Sequence, residues 1–203
     1  MARMRKWLKT TLIVATVAFA SSCGAARPRK YYALDLPSAP PATSASHDVA
    51  LLVGRLSAPH LYRDDRIVYR MGETQIGTYE YHRWVEPPTD MLESMLLRLL
   101  RGSGKYRTVQ RLASNTQGDY IVRGRLYQLE ESSSPTLAAR VSFELELYEK
   151  KSGTVVWSHL YSHDEPVNGK EVPDVVQALN RSVQRGLAEA AASLDQFFSS
   201  QKK

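Results

Sequence analysis

Two histidines and two acids near the C-terminal third of the chain have the residue types of a metal site. The stretch HLYSHDE contains His159, His163, Asp164 and Glu165. On a helix, histidines four residues apart share a face and can bind zinc. The residues from 154 to 161 instead have the composition of a strand that runs into a loop, and in a strand the two histidines lie about 13 Å apart. We therefore expect no metal site, and we interpret both histidines as solvated side chains near a strand end.

A second pair, His82 and Glu86, flanks Trp84 in the stretch YEYHRWVEPP. General acid–base catalysis needs a matched partner and a pocket, and no candidate nucleophile lies nearby in the sequence. The chain also lacks the G-x-S-x-G, phosphate-loop and dinucleotide-binding motifs. We therefore expect a protein that is not an enzyme, with no catalytic residues and no cofactor.

The same stretch is a candidate partner-binding segment, because tyrosine, tryptophan and arginine dominate protein interfaces. The candidate residues are Tyr79, Tyr81, His82, Arg83 and Trp84. Aromatic residues in a strand also form core contacts and cross-strand pairs, so a structural role for them stays open. Strict alternation places Tyr79, Tyr81 and Arg83 on one face of the strand and His82 and Trp84 on the other.

Cys23 is the only cysteine in the 203 residues, so a disulfide within the chain is excluded. It follows a basic start, MARMRKWLK, and an uncharged, mostly apolar run over residues 10–20. A basic start, a short apolar core and a small-residue exit form a secretory signal. The run spans roughly 17 Å as a helix, which is too short for a bilayer core of about 30 Å.

The residues before Cys23 resemble the bacterial lipobox. Ala20 stands where that pattern usually has Leu, and Ser22 where it has Gly or Ala. The resemblance implies that the cysteine sulfur is lipidated and that Cys23 becomes the first residue of the mature chain. The alternative is an ordinary secretory signal with an incidental cysteine. Gly24 occupies the position at which Asp retains lipoproteins in the inner membrane of enteric bacteria, so it favours the outer membrane.

The formal net charge of +6 belongs mainly to the N-terminal segment. Of 27 Lys and Arg residues, seven lie within residues 1–30, which leaves 20 against 21 Asp and Glu. A nearly neutral body argues against nucleic acid as a partner. The RPRK run at 27–30 either contacts anionic lipid headgroups or is a solvated tether. We expect a signal peptide at 1–22, a lipidated tether at 23–30, one domain at 31–199 and a tail at 200–203.

Hydrophobic periodicity predicts the elements of this domain. Strands are expected at 31–36, 49–59, 106–112, 120–130, 137–150 and 154–163, with a hairpin over 67–84. One helix follows Pro88, with Asp90 and Glu93 at capping-box spacing, and a helix of about 25 residues begins near Pro173. In RVSFELELYE the apolar residues alternate with polar ones, so the sheet has one dry face. The predicted fold is a single α+β domain, a largely antiparallel mixed sheet with two main helices packed on one face.

Three strings resemble the ABC-type transport auxiliary lipoprotein family: YYALDLP, VGRLSAPHLYRDDRIVYR and GTYEYHRWVEPPTDMLESMLLRLLRGSGKY. The most specific parts run from Asp65 to Arg70 and from His82 to Pro88, where Val85 replaces the usual Ala. The resemblance covers most of the mature chain. It implies a mixed sheet with helices packed on it, in agreement with the periodicity.

The resemblance also implies a function. It predicts a non-catalytic lipoprotein of the outer membrane, anchored by lipid on the periplasmic side, that is an auxiliary component of an MCE/ABC-type system moving lipids between the inner and outer membranes. Its partners would be an MCE-domain protein and, through it, an inner-membrane ABC transporter or permease, which would hydrolyse the ATP. Because MCE assemblies are rings, a homo-oligomer is also expected. The alternative is an outer-membrane assembly factor for lipopolysaccharide or barrel proteins, and the residues do not separate the two.

Overall fold

Eight strands form one mixed sheet with two long helices packed on it, which confirms the predicted α+β class. The computed structural model describes residues 27–35, 47–113, 115–133 and 135–201. The strands are β1 (Lys30–Tyr32), β2 (His47–Ser57), β3 (Arg66–Met71), β4 (Gln75–Trp84), β5 (Tyr106–Arg111), β6 (Tyr120–Ser132), β7 (Ala138–Glu149) and β8 (Thr154–Pro166). The helices are α1 (Pro88–Gly102) and α2 (Val172–Ser200), and a 3-10 turn covers His60–Tyr62.

The central strand β6 organises the sheet. One edge of β6 pairs along its length with β7, which pairs in turn with β8, and both of these long ladders are antiparallel. On the other edge, the first half of β6 pairs with β2 and the second half with β3, and both pairings are parallel. β5 continues the first branch in parallel with β2. The antiparallel hairpin β3–β4 and the parallel strand β1 form the second branch.

The direction of these strands gives the domain two distinct ends. We call one the hairpin end, which holds the β3–β4 turn, the β6–β7 connection and the start of α2. The turn and the connection lie at the same end because β3 runs parallel to β6 and ends beside Ser132. The other is the clasp end, which holds the β7–β8 turn and the clasp, defined as His47, Lys105 and Asp195. The twelve residues of β7 separate the ends by about 40 Å at the usual strand rise.

The core lies between the sheet and the helices. Val141, Phe143, Leu145 and Leu147 of β7 are all buried, as their alternation predicts. They face the helices, whose apolar residues include Leu179 of α2. Fully burying a side chain of this size stabilises the fold by about 1.5–3 kcal/mol, so this layer carries much of the stability.

The start of α1 differs from the prediction. The helix begins at Pro88 with Pro87 as its N-cap, and no side chain caps it. Proline suits the first helical turn because its missing N–H would be unpaired there in any case. Glu93 is buried and pairs with Arg111 at 3.1 Å instead of closing a capping box. The capping box belongs to α2, where Glu171 and Asp174 bond reciprocally to backbone N–H groups.

The limits of β1 and β8 also differ from the prediction. β1 is shorter than the expected strand at 31–36 and ends at Tyr32, and the predicted loop at 37–48 lies mostly outside the described residues. β8 is longer, since it continues through HDE to Pro166 instead of turning into a loop near Tyr161. In the described part of the chain, neither helix has the length and apolarity needed to cross a bilayer.

Candidate partner-binding surface

The described part of the tether leads into β1, beside the candidate partner-binding residues. Cys23 lies outside the described residues, which begin at Arg27. Three residues later the chain enters β1, where Lys30, Tyr31 and Tyr32 pair in parallel with His82, Arg83 and Trp84 of β4. The tether therefore joins the domain at β1, the strand next to β4, which carries the candidate residues.

A β-bulge in β4 brings the aromatic side chains together. Between the paired residues Val68–Thr78 and Arg66–Arg83, β4 has four intervening residues while β3 has one. The bulge breaks the strict alternation that the sequence predicts. As a result the ring of Tyr79 contacts the ring of His82, with centroids 5.6 Å apart, although alternation places the two residues on opposite faces.

His82 is held by its neighbours on β1. Its Nδ1 atom lies 2.8 Å from the Tyr32 hydroxyl, and the two rings stack with centroids 5.7 Å apart. Burial, and then the positive charge of Lys30, lower the pKa of His82. The imidazole therefore favours its neutral form. It bonds to Tyr32 and not to Glu86, which is exposed after the end of β4, so the structure does not bring the suggested acid–base pair into hydrogen bonding.

Tyr79 is fixed by a hydrogen bond and by ring contacts. Its hydroxyl donates to Glu131 of β6 at 2.6 Å, and its ring packs edge-on against Tyr69 with centroids 5.0 Å apart. Burial, and then this hydrogen bond, raise the pKa of Tyr79. Part of its ring remains accessible, so it contributes both to the sheet and to the surface.

Arg83 connects the two stretches that carry the family resemblance. Its Nη1 atom donates to Asp65 at 2.6 Å, and the backbone N–H of Trp84 donates to the carbonyl of Asp65 at 2.6 Å. Burial alone would raise the pKa of Asp65, but the hydrogen bond and the positive charge of Arg83 hold it below its ordinary value. The Asp65–Arg83 pair thus keeps the base of the hairpin closed.

Trp84 does not fit the role of a partner-binding residue. Its side chain is only 1% exposed, because it belongs to the same core cluster as the apolar residues of the two helices. The remaining candidates are Tyr79, Tyr81, His82 and Arg83, all of which are partly accessible. We call these four residues, with Tyr31 and Tyr32 of β1, the arm surface.

A buried carboxylate that the sequence did not indicate holds the hairpin to the central strand. Glu130 of β6 is fully buried, and it accepts hydrogen bonds from Tyr62 at 2.5 Å and from Arg70 Nε at 2.6 Å. Burial, and then the bond to Glu130, raise the pKa of Tyr62. Arg70 and Tyr62 lie within the stretch that carries the resemblance, but nothing in the sequence around Glu130 marks it as buried.

Both acids of the HLYSHDE stretch form ion pairs with arginines. Asp164 receives two hydrogen bonds from Arg140, at 2.8 and 2.7 Å, and Glu165 pairs with Arg181 and Arg185 at 3.2 and 2.9 Å. Burial would raise the pKa of Glu165, but these arginines lower it.

His159 is half-buried with its Nε2 atom shielded from water, and is not solvated as expected. The side chain of His163 remains 40% exposed and lies 2.8 Å from Arg185 of α2. Among the described residues, no group of three or more His, Cys, Asp or Glu side chains is placed to hold a metal ion.

Charged side chains line three surface grooves. One of about 450 Å³ lies at the hairpin end beside Arg70 and Arg140. One of about 340 Å³ lies on the uncovered sheet face beside Arg123 and Glu144, and one of about 530 Å³ lies at the clasp end beside Arg107. Ligand pockets for apolar molecules are lined predominantly by hydrophobic side chains, so these grooves are poor candidates for a lipid tail.

Comparisons with known proteins agree on the family and the fold. The sequence model described as the ABC-type transport auxiliary lipoprotein component matches residues 32–191. No curated protein matches the chain significantly. A crystal structure of a protein from Xanthomonas campestris is similar with a TM-score of 0.76 at 22% identity, over 85% of this chain and 98% of that one. The structure of an uncharacterized protein is similar with a TM-score of 0.66 at 16% identity, over 83% of this chain and 99% of that one.

Proposed function

Since this chain belongs to the family of ABC-type transport auxiliary lipoprotein components, we propose that it is a non-catalytic outer-membrane component of an MCE/ABC-type system that moves lipids between the inner and outer membranes. The observation that carries the proposal is the family match over residues 32–191, which begins within β1. The membrane-associated and transport-associated character follows from the family. The MCE partner, the lipid cargo class and the outer membrane are parts of the proposal.

The anchor in this proposal is Cys23, lipidated after removal of residues 1–22. Each buried methylene adds about 0.8 kcal/mol of membrane affinity, so several acyl chains hold the protein permanently. Residues 23–30 form the tether, residues 31–199 the domain on the periplasmic side and residues 200–203 the tail. α2 extends to Ser200, one residue past the predicted end of the domain at residue 199.

The anchor can be tested with a single substitution. Cys23→Ser leaves every described residue unchanged but removes the sulfur that carries the acyl chains. We expect the parent to sediment with envelope vesicles and to show acyl groups by mass spectrometry, and the variant to do neither. If the variant sediments as strongly as the parent and the parent carries no acyl groups, the anchor is wrong.

The arm surface is the proposed docking site for the MCE-domain protein. Its aromatic and guanidinium groups suit a protein interface. Internal contacts hold Tyr32, Tyr79, His82 and Arg83 in place, so these four need little ordering on binding. The inner-membrane ABC transporter or permease would be reached through that partner and would supply ATP hydrolysis. A ring-shaped partner would favour a homo-oligomer of this chain. The nearly neutral charge of the domain argues against nucleic acid as a partner.

A photo-crosslinking experiment tests this assignment. A benzophenone amino acid at Tyr81 on the arm surface should capture an MCE-domain protein in intact envelopes. The same probe at Val155, an exposed position at the clasp end, serves as the matched control and should not. Capture of an outer-membrane barrel protein or a lipopolysaccharide-assembly protein at Tyr81 would favour an assembly factor and contradict the transport role.

A further inference from the structure

We propose that the hairpin end of the domain rests on the bilayer surface, with the β3–β4 turn and the basic tether in contact with anionic lipid headgroups. This inference rests on the lipid anchor proposed at Cys23 and adds an orientation to it. Four observations carry it: the direction of β1, the length of the tether, the exposed apolar residues at the turn and the charge of the tether.

The direction of β1 determines where the tether leaves the domain. β1 is parallel to β4, with Lys30 beside His82 and Tyr32 beside Trp84. β4 itself runs from the β3–β4 turn toward Trp84. The chain that precedes Lys30 therefore leaves the sheet on the side of the turn, and the anchor lies beyond the hairpin end.

The length of the tether limits the distance to the bilayer. From Lys30 back to Cys23 there are seven residues, which span at most about 25 Å. From His82 back to Ile76, next to the turn, there are six, which span about 20 Å, and the bulge in β4 shortens this distance. The tether thus reaches the level of the turn with little to spare, so the hairpin end, which includes the turn, is the part of the domain held nearest the bilayer.

The β3–β4 turn is apolar on both sides. Met71 and Ile76 flank it and are 44% and 42% exposed. Because Arg70 pairs with Ile76 and Met71 pairs with Gln75, the two apolar side chains point to opposite faces of the hairpin. A tip with this shape can enter the interfacial layer edge-on and place both side chains against lipid.

The charges at this end suit an anionic surface. Arg27, Arg29 and Lys30 are exposed on the tether, and polybasic segments of this kind are attracted to anionic headgroups. The acids on the hairpin beyond its base are Glu73 in the turn and Glu80 on β4, both exposed.

The other charged groups at the hairpin end largely neutralise one another. Arg70 pairs with Glu130 and Arg140 with Asp164, and Lys170 is followed by Glu171 at the start of α2. Glu165 pairs with Arg181 and Arg185, whereas Glu131 and Asp174 bond to neutral donors. The positive charge available to an anionic surface is therefore that of the three tether residues.

Environment-sensitive probes can test the orientation on the complete lipidated chain. Lipidation consumes the Cys23 thiol, so a cysteine introduced by Ile76→Cys is the only free thiol and can carry an NBD fluorophore. In phosphatidylcholine vesicles containing phosphatidylglycerol, we expect blue-shifted emission from this probe and quenching by lipids that carry a nitroxide near the headgroup. Val155→Cys, at a residue that is 49% exposed at the clasp end, is the matched control and should keep the emission of a probe in water.

The charge contribution has its own control. Combining Arg27→Gln and Arg29→Gln should reduce the blue shift at Ile76 in vesicles with phosphatidylglycerol, while Lys150→Gln with Lys151→Gln, in the β7–β8 turn, should not. Equal shifts from both pairs, or no effect of phosphatidylglycerol, would overturn the electrostatic part of the proposal. Met71→Cys repeats the test if Ile76→Cys does not fold, as judged by circular dichroism.

Vesicle flotation separates this inference from the anchor itself. If the chain floats with vesicles while the probes at Ile76 and Met71 remain in water, the orientation is wrong and the anchor stands. If the acylated chain does not float, the anchor and the orientation fail together.

Discussion

The two ends of the domain are each held by a buried ion network, but the networks differ in their access to water. At the hairpin end, the carboxylate of Glu130 is fully buried between Tyr62 and Arg70. At the clasp end, His47 is buried, but the Asp195 carboxylate that it contacts is 26% exposed. A fully buried charge is stabilised only by its protein partners, whereas a partly exposed charge is also stabilised by water. Substitution of a network residue should therefore destabilise the protein more at the hairpin end than at the clasp end.

The clasp joins three separate parts of the chain. His47 Nε2 lies 2.7 Å from Asp195 Oδ1, and Lys105 Nζ lies 2.6 Å from Oδ2. The backbone N–H of His47 donates to the carbonyl of Lys105 at 2.9 Å. The His47 ring also packs against Tyr106 and Phe198, with centroids 5.6 Å away in both cases. Much of its stabilisation is apolar and would survive loss of the charge.

The largest expected effect is at Glu130. Glu130→Ala leaves the Arg70 guanidinium and the Tyr62 hydroxyl without their buried acceptor, and breaking such a pair costs about 3–5 kcal/mol. Urea unfolding followed by circular dichroism measures the loss. Glu146→Ala, on the uncovered sheet face, is the control and should change stability by less than about 0.5 kcal/mol. A loss of under about 1 kcal/mol at Glu130 would remove the distinction between the ends.

A smaller effect is expected at the clasp. Asp195→Asn keeps a hydrogen-bond acceptor for His47 and removes the charge, and water can replace part of the ion pair. The free energy of unfolding should fall by about 1 kcal/mol or less. Thermal unfolding of Asp195→Asn and Glu130→Ala under the same conditions ranks the two losses of stability. Equal losses at the two sites would show that exposure of the carboxylate does not set the difference.

The clasp should also weaken in acid. Burial would raise the pKa of Asp195, but Lys105 and His47 hold it below its ordinary value of 3.8. A lowered folded-state pKa stabilises the protein above the unfolded value, and the stabilisation is lost as the pH falls through the folded value. The stability difference between the parent and Asp195→Asn should therefore shrink from neutral pH to below pH 3.8. A difference that is constant or larger in acid contradicts the ion pair.

The smallest effect concerns the tether at the hairpin end. The charge of Lys30 is the second cause that lowers the pKa of His82, after burial. Lys30→Gln should therefore raise the pKa of His82, which NMR titration of the imidazole would detect. Lys150→Gln at the clasp end should leave it unchanged. An unaltered His82 titration in the Lys30 variant would contradict the β1–β4 pairing.

Local patterns in the sequence predicted most of the elements but not their arrangement. Val141, Phe143, Leu145 and Leu147 alternate with polar residues, so the dry face of β7 follows from strand geometry alone. The parallel pairing of β3 with β6 joins residues about sixty positions apart, as with Val68 and Glu130. Periodicity within one strand carries no information about such a partner.

The sequence predicted only part of the candidate site, because its arrangement also depends on residues that are distant in the chain. The aromatic and arginine residues around His82 stand out by composition, but the bulge that brings Tyr79 to His82 comes from the pairing with β3 and leaves no mark in β4 itself. Trp84 pairs with Tyr32 of β1, about fifty residues earlier in the chain, and its sequence neighbours do not indicate that pairing. Glu130 resembles an ordinary solvated glutamate until Tyr62 and Arg70 are placed beside it.

The parallel pairing of β1 with β4 has a mechanical consequence. Tension in the acylated N-terminus would pull on β1 along its own axis, so the backbone bonds that join its three residues to β4 would bear the load simultaneously and not one after another. Such shear loading resists detachment better than peeling does. A domain attached in this way can transmit force between a membrane and a bound machine before its first strand is torn away.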